Sequence, residues 1–235
     1  MAPPETRERL LDAAERHFAE HGFAGASLRE VTAEAGANLA AVSYHFGSKE
    51  ELFLAVVSRV VAPINEQRLE LLDRAKARAK GAPLPVEEVI EILVGPVLRS
   101  ATRHGTRGGC LLKLFARTQL EDATLWKRIV DGPLREVKTR IEAELARALP
   151  HLGPRDIAYR MHFTMGAVKS VAGELHMLKA FSHGLCDPND IEATLRELVS
   201  FLAAGMSAGA KPRRAAKAAR RSPKTARRSP EGRSK

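Results

Sequence analysis

The sequence predicts an all-α protein of nine to ten helices, with a small N-terminal three-helix head and a larger helical body. Three observations predict it. Apolar residues recur three and four apart along most of the chain, as in Leu10, Leu11, Ala14 and Phe18, or Ile191, Leu195, Leu198, Val199 and Leu202. Gly- and Pro-bearing stretches, such as residues 81–85 and Gly132-Pro133, punctuate these runs. No segment alternates polar and apolar residues convincingly enough for a strand, and no internal repeat is present.

Taken in order, Pro3-Pro4 precede a helix expected over residues 5–21, ended by Gly22, with Phe23 joining its small core. The most informative stretch follows, residues 27–52, SLREVTAEAGANLAAVSYHFGSKEEL. Ser27 and Glu30, and again Ser48 and Glu51, have the spacing of a capping box, in which a hydroxyl accepts from an orphan N–H and the Glu reaches back. Gly36 supplies a left-handed residue to end one helix, and Asn38 is a good cap for the next. Leu28, Val31 and Ala35 share one inward face; Val42 and Phe46 share another. Helix, three-residue turn, helix is the helix-turn-helix plan, whose second helix enters the DNA major groove.

Ser48 then opens a long helix reaching about residue 79, where Pro63 is expected to introduce a kink. A helix from Val86 is expected to break at Gly95-Pro96. Residues 103–109 read as a loop and 110–118 as a short helix. Residues 122–149 are amphipathic and divided at Gly132-Pro133. Residues 154–180 are strongly apolar, and Asp187-Pro188 opens the last helix. The expected domains are a head over residues 1–52, a body over 53–208 and a disordered basic tail over 209–235.

The net charge of +10 is not spread along the chain. Residues 211–235 hold eleven Lys or Arg and one acid, so the tail supplies all of it, and residues 1–210 are balanced at 27 of each sign. The first sixty residues carry six bases against nine acids. Nonspecific attraction to phosphate by the body is thereby excluded; a local face must do the work. Cys110 and Cys186 form no metal-type or redox-type pair in sequence, which suits a reduced compartment. With no signal segment and no run of about 20 apolar residues, a cytoplasmic protein without a membrane partner is expected.

The residues Ala35-Gly36-Ala37-Asn38, the short helix from Leu39 to Tyr44, His45-Phe46 and Lys49-Glu50-Glu51-Leu52 resemble, in order and spacing, the N-terminal domain of TetR-type transcriptional regulators. Two positions depart from the family pattern: Ala40 stands where Gly is common, and Ser43 where Tyr is usual, the aromatic falling one place later at Tyr44. The resemblance implies a homodimer that binds a palindromic operator in double-stranded DNA, with an effector pocket in each body. It also implies pairing of the last two long helices across a two-fold axis. On the second helix of the motif, Leu39, Ala40 and Ala41 are placed to touch thymine methyl groups and Ser43 a base edge or phosphate. Ser27, Arg29, Tyr44 and Lys49 are the phosphate candidates, partly by carry-over from the family pattern.

For the body, Phe115, Trp126, Phe163, Met165 and Met177 are the candidates to line a pocket for a small apolar effector. NLAAVSYHFGSK, and Met161-His162-Phe163 with Gly166 downstream, resemble the fatty-acid-responsive PsrA-like branch, which implies a long-chain fatty acid or acyl-CoA and a repressor that it releases. His162, Glu174 and His176 lack the spacing of a strong zinc motif, so neither a metal nor any other cofactor is expected. No catalytic signature is present and no catalytic residue is assigned. The alternatives are an architectural DNA-binding protein dominated by the tail, and an enzyme on a helical fold.

Overall fold

In the computed structural model, residues 5–101, 123–174 and 177–209 are described, the side chains of 101 and 172–174 excepted. Ten helices run in order through these residues: α1 (Thr6–Gly25), α2 (Leu28–Glu34), α3 (Leu39–His45), α4 (Lys49–Ala79), α5 (Val86–Ala101), α6 (Ala123–Asp131), α7 (Arg135–Ala148), α8 (Pro154–Glu174), α9 (Leu178–Phe181) and α10 (Ile191–Ser207). The described residues contain no strand.

The head forms because α1 buries the expected stripe, Leu10, Leu11, Ala14 and Phe18, together with Ala13. Phe18 meets Phe53 of α4 edge-on at 4.9 Å between ring centres, and Phe23 meets Phe53 at 5.3 Å. Gly22 breaks α1 as expected, with φ 73°, and the chain makes a further turn before α2. α4 carries the apolar core from head to body without interruption, contacting α1 at one end and α5, α6 and α7 beyond it. α10 lies along α5, and α8 packs on α5, α7 and α10.

Several sequence expectations are corrected. Ser27 occupies the cap position of α2 but its side chain makes no capping bond, whereas Ser48 Oγ accepts from Glu51 N at 3.2 Å. α4 is helical through Pro63, which lies on the exposed side. α5 likewise continues through Gly95-Pro96. Gly95 serves close packing: a Cβ there would sit 2.9 Å from Arg99 Nη1 and 3.6 Å from Leu195 Cδ2 of α10. Of the run expected over 154–180, α8 covers Pro154–Glu174 and α9 Leu178–Phe181, and residues 175–176 between them lie outside the described residues. Asp187 closes a local turn by accepting from Asn189 N at 2.9 Å, and the cap of α10 is Asp190, which accepts from Ala193 N at 2.8 Å. The expected loop and helix over 103–118, and the tail, lie outside the described residues.

Candidate nucleic-acid interface

α3 is held by its two ends. Asn38 Oδ1 accepts from Ala41 N at 3.0 Å, and Gly36, at φ 60°, turns the chain out of α2 into that cap. Val42 is the buried anchor of α3, and Ala41 and Phe46 pack against the core from its flanks. Of the five expected DNA-contacting residues on α3, four are on the outside: the groove candidates Leu39, Ala40 and Ser43, and the phosphate candidate Tyr44, which is 83% exposed. Ala41 is half-buried and turns partly inward.

The phosphate candidates divide in the same way. Arg29 is exposed at the start of α2 and Ser27 half-buried beside it. Lys49 has structural engagements: its Nζ donates to Ala24 O at 3.4 Å and lies 4.9 Å from the centre of the Phe23 ring. A single ammonium can keep these contacts and still present a free proton outward.

Much of the head's surplus acid is engaged in ion pairs away from the α3 sequence. Residues 35–49 contain no Asp or Glu. Glu34 pairs with Arg16 at 2.5 Å and with His17 at 2.8 Å, and the Arg16 hydrogen bond, ahead of the His17 one, holds its carboxyl below the usual range. Glu50 is held down by its own backbone N–H and by Ser48. Glu8, Asp12 and Glu15 all face Arg59 of α4, at 3.6, 2.8 and 2.5 Å. Glu51 is taken by Arg128 of α6, a contact from body to head. The five paired acids fasten the head together and to the body, and α3 itself carries no acid on its outer face.

The five body candidates are not brought into one cavity among the described residues. Phe115 lies outside them. Trp126 on α6 and Met165 on α8 are half-buried against the core. Phe163 is 64% exposed, because α8 turns Met161, Thr164 and Val168 inward and Phe163 falls on the opposite face. Met177 lines an open groove of about 720 Å³ with Phe181, Leu185, Leu198 and Phe201. His162 is exposed. Sequence reasoning missed Arg59, although Glu8, Asp12 and Glu15 at helical spacing were a readable acidic stripe awaiting a cation.

Two family models match the chain: bacterial regulatory proteins of the tetR family over residues 10–56, and the tetracyclin repressor-like C-terminal domain over residues 91–205. The HTH-type transcriptional dual regulator CecR of Shigella flexneri is 32% identical over 144 residues, 59% of this chain and 64% of that protein, so the match spans less than two thirds of the relative's length. A TetR-like transcriptional regulator from Rhodococcus sp. RHA1 has the same fold, with TM-score 0.55 and 20% identity over 88% of this chain and 99% of the other. So does the transcriptional regulator FadR from Bacillus subtilis, in complex with stearoyl-CoA, at TM-score 0.53 and 14% identity over 84% and 98%. The matched families and relatives are regulators rather than enzymes. With a helix-turn-helix head and a helical body each matched by its own model, the chain belongs to the TetR family of bacterial regulatory proteins.

Proposed function

We propose that this protein is a sequence-specific, DNA-binding transcriptional repressor, acting in the cytoplasm as a homodimer and released from its operator by an apolar effector. The observation that carries the reading is the capped α3 with an outward, acid-free face of Leu39, Ala40, Ser43 and Tyr44. Small side chains allow the helix backbone close to the groove floor, and Tyr44, Arg29 and Lys49 supply the positioning contacts to phosphate. The head is assigned to residues 1–52, the effector-binding and dimerising body to 53–208, and the basic tail to 209–235.

A second copy of the chain is the proposed occupant of the apolar surface on α8 and α10. Tyr159 and Phe163 on α8 and Phe201 on α10 are exposed together with the groove beside Met177, far more aromatic surface than a solvated face needs. Pairing there sets two heads on one face of the duplex, about one helical turn apart. Among the described residues, no helix is long and apolar enough to cross a membrane.

For the effector we propose a long-chain fatty acid or its acyl-CoA, on the strength of the residues around Met161-His162-Phe163. FadR of B. subtilis, in complex with stearoyl-CoA, illustrates that this fold accommodates an acyl chain. The ligand must bind the DNA-incompetent form more tightly, since equal affinity for both forms shifts nothing. Selection of genomic fragments by the purified dimer tests the reading, followed by titration of palmitate and palmitoyl-CoA into the selected complex. A shared near-palindrome released by one of the two is expected. Fragments enriched without any common sequence would favour the architectural alternative.

A further inference from the structure

Arg68 projects from the middle of α4 to where α4, α5 and the turn between α6 and α7 meet. Its Nε donates to Leu93 O of α5 at 2.8 Å, and its Nη1 to Asn65 Oδ1 at 3.2 Å. Asn65 is itself buried and fixed, because its Nδ2 donates to Pro133 O at 2.8 Å, which turns the amide oxygen toward the guanidinium. Arg59, nine residues earlier on the same helix, is surrounded by three carboxylates. Among the described residues Arg68 meets none.

This is a costly way to keep a cation. Among the described residues only carbonyl and amide dipoles stand in for the water it has lost, and burial pushes the guanidinium down to about 10. An apolar side chain of the same length would carry no charge to desolvate, at the loss of the bonds to Leu93 O and Asn65 Oδ1. The group stays protonated at neutral pH, retains some accessible surface and has Nη2 without an acceptor among the described residues. A cation so placed is the complement of an anion that arrives from solution.

We propose that Arg68, oriented by Asn65, anchors the anionic head group of the effector, a carboxylate or phosphate carried on an apolar body. The inference rests on the effector-released regulator reading and adds the chemistry by which the body selects its ligand. The fork of the guanidinium accepts two oxygens of either group, so a free fatty acid and an acyl-CoA are both compatible with the geometry.

The test compares palmitate, palmitoyl-CoA and hexadecanol, equal in chain length and differing in head group, binding to the full-length protein by calorimetry. The wild type should bind at least one of the two anions about tenfold or more tighter than the alcohol, the range of a buried charge-assisted hydrogen bond. Whichever anion shows the preference names the source of the head group. Arg68→Met should erase the preference, and Arg68→Lys should retain part of it. Asn65→Ser, which keeps the charge but loosens its aim, should reduce the preference several-fold and covers the case in which Arg68→Met does not fold. A wild type that prefers neither anion, or an anion-to-alcohol ratio unchanged in Arg68→Met or Asn65→Ser, overturns the proposal. Operator binding by the ligand-free proteins is measured alongside. An unchanged ratio with intact operator binding removes the anchor alone, while failure of the wild type to bind any operator removes the regulator reading.

Discussion

Replacing Arg59 by Met removes the cation that joins α1 to α4 and should destabilise the protein by about 3 kcal/mol. The figure follows from the exposure of the partners. Arg59 and Glu15 have only 15% and 12% of their side chains exposed and lie 2.5 Å apart, so losing the cation removes a poorly hydrated ion pair, at the lower end of the roughly 3–5 kcal/mol for breaking a buried pair. Asp12 and Glu8 are 46% and 48% exposed, and solvent reduces each of their shares to a fraction of about 1 kcal/mol. The Met side chain recovers some packing of the aliphatic stem, which offsets part of the loss. For a chain of this size, about 3 kcal/mol lowers the melting temperature by about 6–12 °C. Thermal unfolding followed by circular dichroism at neutral pH reads the change, with Arg59→Lys expected to fall between. A variant melting within about 2 °C of the wild type would show that the three carboxylates do not depend on Arg59.

Three further outcomes are expected. The depressed Glu34 carboxyl, held down chiefly by Arg16, contributes stability that is present above the ordinary carboxylate value of 4.5 and lost as pH falls through the lowered one. Melting temperatures of the wild type and Glu34→Gln should therefore differ at neutral pH and converge on acidification; parallel curves would contradict this. Phe163→Glu combined with Phe201→Glu should yield a folded monomer by light scattering, since both side chains are already exposed in a single chain, at 64% and 73%; a persistent dimer would move the interface elsewhere. Deleting residues 211–235 should flatten the log–log salt dependence of DNA binding by several units, at about 0.9 per phosphate contact, while preserving operator preference; an unchanged slope would leave the tail without a DNA role.

The all-α architecture was legible because helical periodicity and Gly and Pro punctuation are local signals. Asn38, Gly36 and Val42 stand where the sequence placed them, and the division at Gly132-Pro133 falls between α6 and α7. What local reasoning misjudged were two prolines and one cap. Pro63 and Pro96 sit inside continuous helices, and Gly95 answers to the approach of α10 rather than to a break. Ser27 has the capping spacing without the bond. The polar contacts that matter most to the body were not legible, because Asn65 and Pro133, or Arg68 and Leu93, are far apart in sequence and joined only by the fold. Aromatic and Met content suggested a pocket without saying which face of α8 would turn outward, and Phe163 turned out.

Competition binding tests most directly whether α3 reads sequence. A labelled operator fragment from genomic selection is competed, at fixed physiological salt, by the same fragment or by a scrambled one of equal length and composition. The wild type should favour its operator by about 1,000-fold or more. Tyr44→Ala, which removes an exposed side chain and should leave the melting temperature within about 1 °C, should weaken operator binding measurably. Equal competition by the two fragments, or a Tyr44→Ala protein that binds as the wild type does, would contradict the assignment of that face.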